Sequence, residues 1–313
     1  MPNTIKNNNS LMKNRGVRWF MYLLPALFFY TVFMAFPLLN SIRLSFFTDS
    51  NVDGRIFVGF DNYIKLFTHP RISERYWSAF KNTWIFFGIH MLVQNVLGIM
   101  FANFLTNRFL KGSSVFRTII FLPATLSIIV TGYLWKLILN PQWGAVNIIL
   151  KSFGVEETIA WLGDPNIALI AISTVSSWQW VGIPTMMFLA GLNNIPEELY
   201  EASEIAGASS WQVFRHIKIP LLMPVIGIVT TLTFVGNFNA FDVVFSMANV
   251  NGAPKYSTDI LGTFFYRMGI AGEHPVANPD PGVGAAVATI TFILLAVGVA
   301  LFRRITDTER RSA

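Results

Sequence analysis

The sequence predicts an all-α membrane protein of six transmembrane helices, with a short helical segment on the cytoplasmic side between the fourth and the fifth. Three observations predict it. The 313 residues are 53% hydrophobic and only 13% charged, with a mean hydropathy of +0.50, whereas a soluble domain carries about 25% charge. Six runs free of Asp, Glu, Lys and Arg are long enough for a hydrocarbon core that needs about 20 apolar residues. A polar stretch, residues 195–220, reads as two short helices joined at a glycine.

In order, residues 1–18 are polar and Asn-rich, with Lys6, Lys13, Arg15 and Arg18, and read as a cytoplasmic tail. Run 19–42 is too long for a signal-peptide core of about 7–15 residues and suits a first span. Residues 43–81 are mixed and charged, with turn signals at Asp53-Gly54 and His69-Pro70. Run 82–107 is the second span. A basic link with Arg108, Lys111 and Arg117 leads to run 118–135, the third. Residues 136–165 form a loop with an amphipathic helix over 147–153. Run 166–194 is the fourth span, with a kink expected at Gly182-Ile183-Pro184. Runs 219–241 and 281–302 are the fifth and sixth, the last stopped by Arg303 and Arg304, leaving 306–313 as a second tail.

Within 195–216, Pro196 suits a first helical turn, where the N–H groups lack partners anyway. Glu197 and Glu198 favour the positive end of the helix dipole. Ile195, Leu199, Ala202 and Ala206 share one face. Gly207 can end this helix, and Ser209 or Ser210 can cap a second one through Phe214, before Pro220 opens the next run. Basic residues fix the orientation. With the N-terminus inside, the inner segments hold 13 Lys and Arg in 67 positions and the outer segments 10 in 113. That bias places both termini and the 195–216 loop in the cytoplasm.

The spacing Glu201-Ala202-Ser203, then Gly207, then Ile217-Lys218-Ile219-Pro220 resembles the EAA loop of ABC importer permeases (E-A-A-x3-G-x9-I-x-L-P), with Ser203 for the second Ala and Ile219 for Leu. Over roughly 18–304 the chain is similar to carbohydrate-type permeases, through Phe36-Pro37-Leu38, Val58-Gly59-Phe60-Asp61-Asn62-Tyr63, Phe121-Leu122-Pro123, Trp161-Leu162-Gly163-Asp164-Pro165 and Gly284-Ala285-Ala286. The family's T-x-G-G-P before the last span is replaced by residues 248–254, from Ala248 to Pro254.

The resemblance implies a six-span type I importer permease domain over 19–305, in the inner membrane. It implies a heterodimer with a second permease subunit, two ATPase subunits that carry ATP and Mg, and an extracytoplasmic solute-binding protein delivering a sugar or oligosaccharide. It assigns docking on the ATPase to Glu201, Ala202, Ser203, Gly207, Ile217 and Pro220. Glu201 would accept from a basic or hydroxyl group, and Gly207 would turn the backbone into a cleft.

The chain carries no catalytic signature of its own. It has no Gly-Lys pair and so no phosphate-cradling P-loop. His69, His90, His216 and His274 lack metal spacing, and Cys is absent. The net charge of +6 sets topology rather than pointing to nucleic acid. A lone secondary transporter would need ionisable groups at mid-membrane, and the only acid near a span interior is Asp242, toward the outer end of the fifth run. Glycerol phosphate remains an alternative cargo on resemblance.

For the substrate path, the expected residues are Trp178 and Gln179 before the fourth-span kink, and Asn237, Asn239, Phe241 and Asp242 at the end of the fifth. Amides both donate to and accept from sugar hydroxyls, and aromatic faces stack on a pyranose. The maltose-type subunit has N-F-N-N-F here. This chain has Asn237-Phe238-Asn239-Ala240-Phe241, one amide fewer.

Overall fold

The structure is a computed structural model and describes residues 8–50, 54–107, 110–272 and 278–312. The tail residues 1–7 and 313, Asp53, Arg108 and His274 lie outside them, as do the side chains of 8–18 and 305–312.

Helix α1 covers 8–44, and none of its apolar stretch Trp19–Leu44 is buried in the chain itself. A hairpin follows, β1 (Phe47–Ser50) antiparallel to β2 (Gly54–Phe57), and Asn62 ties it down by donating to the carbonyls of Ser45 and Phe47, both at 2.8 Å. Asn62 lies on α2 (Asp61–Thr68). Helix α3 (Pro70–Leu105) starts at Pro70, well before the uncharged run 82–107. The added turns are amphipathic. Ile72, Tyr76 and Ala79 face inward while Arg71 and Glu74 do not, so a criterion based on absence of charge discards them.

The third run is not one straight span. Helix α4 (Ser113–Phe121) passes through a 3-10 turn at Leu122–Thr125, and α5 (Ile128–Ile138) leaves at 97°. Pro123 begins that tight turn, and Leu126 and Ser127 are extended, with ψ of 146° and 130°. The next helix is α6 (Ala145–Ser152), where an amphipathic segment was expected. The fourth run divides at Val181 into α7 (Ala168–Trp180) and α8 (Gly182–Asn193). The helical ladder is thus interrupted one residue before the tripeptide where a kink was expected, because Pro184 has no N–H for the carbonyl of Trp180.

Helix α9 (Glu197–Ile205) is the first half of the 195–216 segment. The second half does not stop at Phe214: it continues through a π-turn, Phe214–Lys218, into the fifth span, giving one helix α10 (Ser210–Phe238). The region 242–282, between the fifth and sixth runs, contains two short helices, α11 (Asp242–Ala248) and α12 (Leu261–Tyr266). Helix α13 (Pro281–Ser312) passes Arg303 and Arg304, which end the apolar stretch but not the helix.

Among the described residues, α1, α3, α10 and α13 are long and apolar enough to cross a membrane, and the bent pair α4–α5 makes a fifth if it counts as one span. The tandem α7–α8 supplies the remaining apolar length in two halves of 13 and 12 residues. Three clusters hold the bundle. Ala102, Phe188, Leu192 and Leu222 join α3, α8 and α10. Phe86, Ile172, Val243 and Met247 join α3, α7 and α11. Tyr76, Phe234, Phe238, Phe264 and Val287 join α3, α10, α12 and α13.

The connection between α10 and α13 is fastened by a buried ion pair. Arg267 and Asp259 are 0% and 1% exposed in their side chains. Arg267 also donates to the Val250 carbonyl at 2.9 Å, and Thr263 donates to Asp259 Oδ1 at 2.7 Å. Burial pushes the Asp259 carboxyl up, and the Arg267 guanidinium draws it back. Gly262 permits the close approach behind this clip: a Cβ there would meet the Ala240 carbonyl oxygen.

Candidate functional sites

The first site is the 195–216 loop, which leads from α8 into α10. Pro196 is its N-cap, with Glu197 and Glu198 in the first turn. Gly207 has φ +70°. The Ala208 N–H donates to Ser203 O at 2.9 Å and the Gly207 N–H to Glu204 O at 3.0 Å, the paired bonds of a Schellman stop. Only the backbone demands glycine here, since nothing lies within 4 Å of a Cβ at Gly207. Ser209 caps α10 in a reciprocal box with Gln212.

The loop satisfies its own backbone and leaves a face open. Glu201, Ala202 and Ala206 are exposed, Leu199 is 40% exposed and Ile205 is 89% exposed. Ser203 turns inward, donating to Tyr200 O at 2.7 Å. Tyr200, whose hydroxyl pKa is raised by burial, carries Lys218 Nζ 5.6 Å from its ring centroid. Lys218 also donates to Asn103 Oδ1 at 2.7 Å, tying the loop to α3. Gly207, Gln212, His216 and Ile217 line a shallow hollow of about 260 Å³. Pro220 is exposed on the span side of it.

The second site is a cavity of about 440 Å³ inside the bundle. Its walls come from four places. A π-turn in α3, His90–Asn95, presents His90 and Gln94; α7 presents Ser176 and Trp180 and α8 presents Pro184 and Met187, on either side of the break at Val181; α10 presents Thr233 and Asn237; and the start of α11 presents Asp242. Irregular helix lines this cavity, where freed backbone groups meet polar surroundings rather than lipid. Asn95 donates to Thr233 Oγ1 at 3.2 Å and so joins α3 to α10.

Four of the six expected path residues, Asn237, Asn239, Phe241 and Asp242, lie on this wall. Asn237 is 6% exposed, and its amide has no side-chain hydrogen bond among the described residues. Gln179 and Trp178 are not brought to the cavity. Gln179 is fully buried and donates to the Leu126 carbonyl at 3.1 Å. Trp178 is 43% exposed and packs edge-on against Trp135 at 5.3 Å. Helical phase separates them from Ser176 and Trp180, which do line the wall. Sequence reasoning missed His90 and Gln94 as wall residues; their signal was two polar side chains at i and i+4 in an otherwise apolar run.

An apolar bundle around a largely apolar cavity that carries a few polar wall groups, with a self-contained loop outside it, is the architecture of a membrane transport permease. The chain belongs to the binding-protein-dependent transport system inner membrane components, whose family profile matches residues 94–312. It is similar to the lactose transport system permease protein LacF of Rhizobium radiobacter, 33% identical over 84% of this chain and 86% of that one. It is also similar to the trehalose/maltose transport system permease protein MalF of Thermococcus litoralis, 30% identical over 92% and 94%. Among solved structures, a chain of a bacterial ABC transporter involved in import of the acidic polysaccharide alginate shares the fold, with a TM-score of 0.80 over 96% of this chain and 99% of that chain at 23% identity.

Proposed function

We propose that this chain is one of two non-identical permease subunits of an ATP-driven ABC importer, and that its cargo is a sugar or oligosaccharide delivered by an extracytoplasmic binding protein. One observation carries the reading: a single helix joins the two sites. Helix α10 has 29 residues, about 40 Å at 1.5 Å per residue. The glycine-stopped loop lies at its inner end and Asn237 at its outer end. Movement of the loop is therefore delivered to the cavity wall as a rigid-body displacement. The relatives named for lactose and for trehalose/maltose support the cargo class.

In this reading ATP and Mg are bound by two partner ATPase subunits. The exposed face of α9, with Glu201 at its edge, docks on an ATPase. Ala202 and Gly207 let the backbones approach, Ser203 holds the helix to its own bundle, and Ile217 and Pro220 set where α10 leaves the cleft. Both termini are cytoplasmic. The test is reconstitution of the chain with its neighbouring permease, ATPase and binding-protein genes in vesicles, offered lactose, maltose, trehalose and arabino-oligosaccharides. The expected result is ATP-dependent accumulation of at least one of them. Uptake that proceeds without an ATPase subunit would replace this reading with a secondary transporter.

A further inference from the structure

The cavity has a hydrogen-bonding bias that its residue types alone do not reveal. His90 Nδ1 lies 2.8 Å from the Phe86 carbonyl oxygen. A carbonyl only accepts, so Nδ1 carries the proton. In the neutral ring Nε2 is then a lone pair, and the Ser176 hydroxyl, 2.9 Å away, donates to it. Ser176 has thereby spent its proton and keeps only lone pairs for the cavity. Thr233 repeats the pattern: its hydroxyl donates to the Val229 carbonyl at 2.8 Å. Both hydroxyls on the wall have spent their protons, and Thr233, which already accepts from Asn95 at 3.2 Å, keeps one lone pair. Asp242 adds a carboxylate that lies exposed on the wall, and no Lys or Arg is among the described lining residues.

Against this stand a few donors, the Trp180 indole N–H among them. Asn239 already spends one N–H on the Val235 carbonyl at 2.9 Å. Asn237 and Gln94 keep their amides free, and Gln94 is 6% exposed with an unpartnered Oε1. A sugar hydroxyl brings its own proton to such a wall. A carboxylate or phosphate brings only acceptors and a charge that Asp242 repels. We infer that this cavity selects uncharged, hydroxyl-donating cargo and rejects anionic solutes such as uronates and glycerol phosphate, with Ser176, Thr233 and Asp242 setting the polarity and His90 positioning Ser176. The inference rests on reading the cavity as the cargo path.

The test uses the complete importer in lipid nanodiscs, without its binding protein, in the nucleotide-free and vanadate-trapped states. Binding is measured for radiolabelled lactose, maltose and trehalose and for the same disaccharides oxidised at one C6 to the uronate. The neutral sugars should bind at least about tenfold more tightly. Asp242→Asn removes the repelling charge, and Asn239→Lys adds a cation at an exposed wall position. Each should narrow the gap to about threefold or less. Uronates that bind as tightly as neutral sugars in the unaltered importer would overturn the inference and leave the sugar reading standing, as would a gap that neither substitution moves. If neither class binds in either state, the cargo-path reading itself falls, and this inference with it.

Discussion

The two connections at the ends of α10 are opposite solutions to joining helices. At the inner end, residues 195–209 make almost all their hydrogen bonds locally, through the Schellman stop at Gly207 and the Ser209–Gln212 box. At the outer end, 249–267 is sewn into the bundle. Asn82 donates to the carbonyls of Ser257 and Asp259 at 3.0 and 2.9 Å, the Leu261 N–H donates to Thr83 Oγ1 at 2.9 Å, and Arg267 is buried on Asp259. Tyr256 lies between Arg75 and Arg267, with ring centroids 4.2 and 5.1 Å from their guanidinium carbons. A segment that must bind something else keeps its polar ledger closed by itself and its apolar face free. A segment that must hold a wall in place borrows its partners from the bundle.

The sharpest way to break that contrast is at the ion pair. Asp259→Ala leaves a buried guanidinium without its counter-charge, which should destabilise the complex by about 3–5 kcal/mol. The apolar pair Asp259→Leu with Arg267→Met should recover most of that loss, since removing both charges also removes their desolvation cost. Denaturant unfolding of the purified importer measures both. A single variant within about 1 kcal/mol of the parent would mean the clip fastens nothing.

At the inner end the expected effect is on coupling, not on fold. The 193–216 segment has four Glu against one Arg, a formal charge of −3. Glu201→Lys reverses the charge at the edge of the exposed face and should bring cargo-stimulated ATP hydrolysis down to the unstimulated rate while the subunits still co-purify. Gly207→Pro should do the same, because proline cannot adopt φ +70°. Normal stimulation by cargo in Glu201→Lys would remove Glu201 from the docking contact.

Asn237→Ala tests the wall that the outer connection supports. Loss of an amide that a bound hydroxyl engages costs about 1 kcal/mol, or more when its partner is left unpaired, so uptake at low cargo concentration should fall by roughly five- to tenfold. The fall should come from KM more than from the maximal rate. Unchanged uptake in an assembled importer would show that Asn237 only packs helices.

How far the molecule was legible follows from what each signal measures. Uncharged length found the apolar stretches of α1, α3, α10 and α13, because lipid excludes charge regardless of detail. It misplaced the start of α3, where Ile72, Tyr76 and Ala79 are buried on one side of a charged helix, and it hid the 97° bend after Thr125, since a break whose backbone groups find partners in the protein is as apolar as a straight helix. The helix stop at Gly207 was legible to the residue, because it is dictated by local backbone geometry. The cavity was half legible. The 237–242 cluster stood out by composition, but His90 and Gln94 reach the wall through a π-turn, and that change of phase is set by the packing of three helices.

Gln179 carries the smallest expected effect and separates polar residues that pack from those that face cargo. The 97° bend leaves the Leu126 carbonyl outside any helical ladder, and Gln179 Nε2 supplies its hydrogen bond at 3.1 Å. Gln179→Ala therefore removes a partner from a buried backbone acceptor and should cost about 1–2 kcal/mol of stability. It should leave the order of preference among offered sugars as it was, because the side chain is fully buried against the bend and off the cavity wall. Gln179→Glu should cost more, since a carboxylate there would meet the carbonyl with no proton to donate. Thermal unfolding and a competition assay with two neutral sugars read the two effects separately. A changed sugar preference with unchanged stability would put Gln179 on the cargo path and show that the bend does not depend on it.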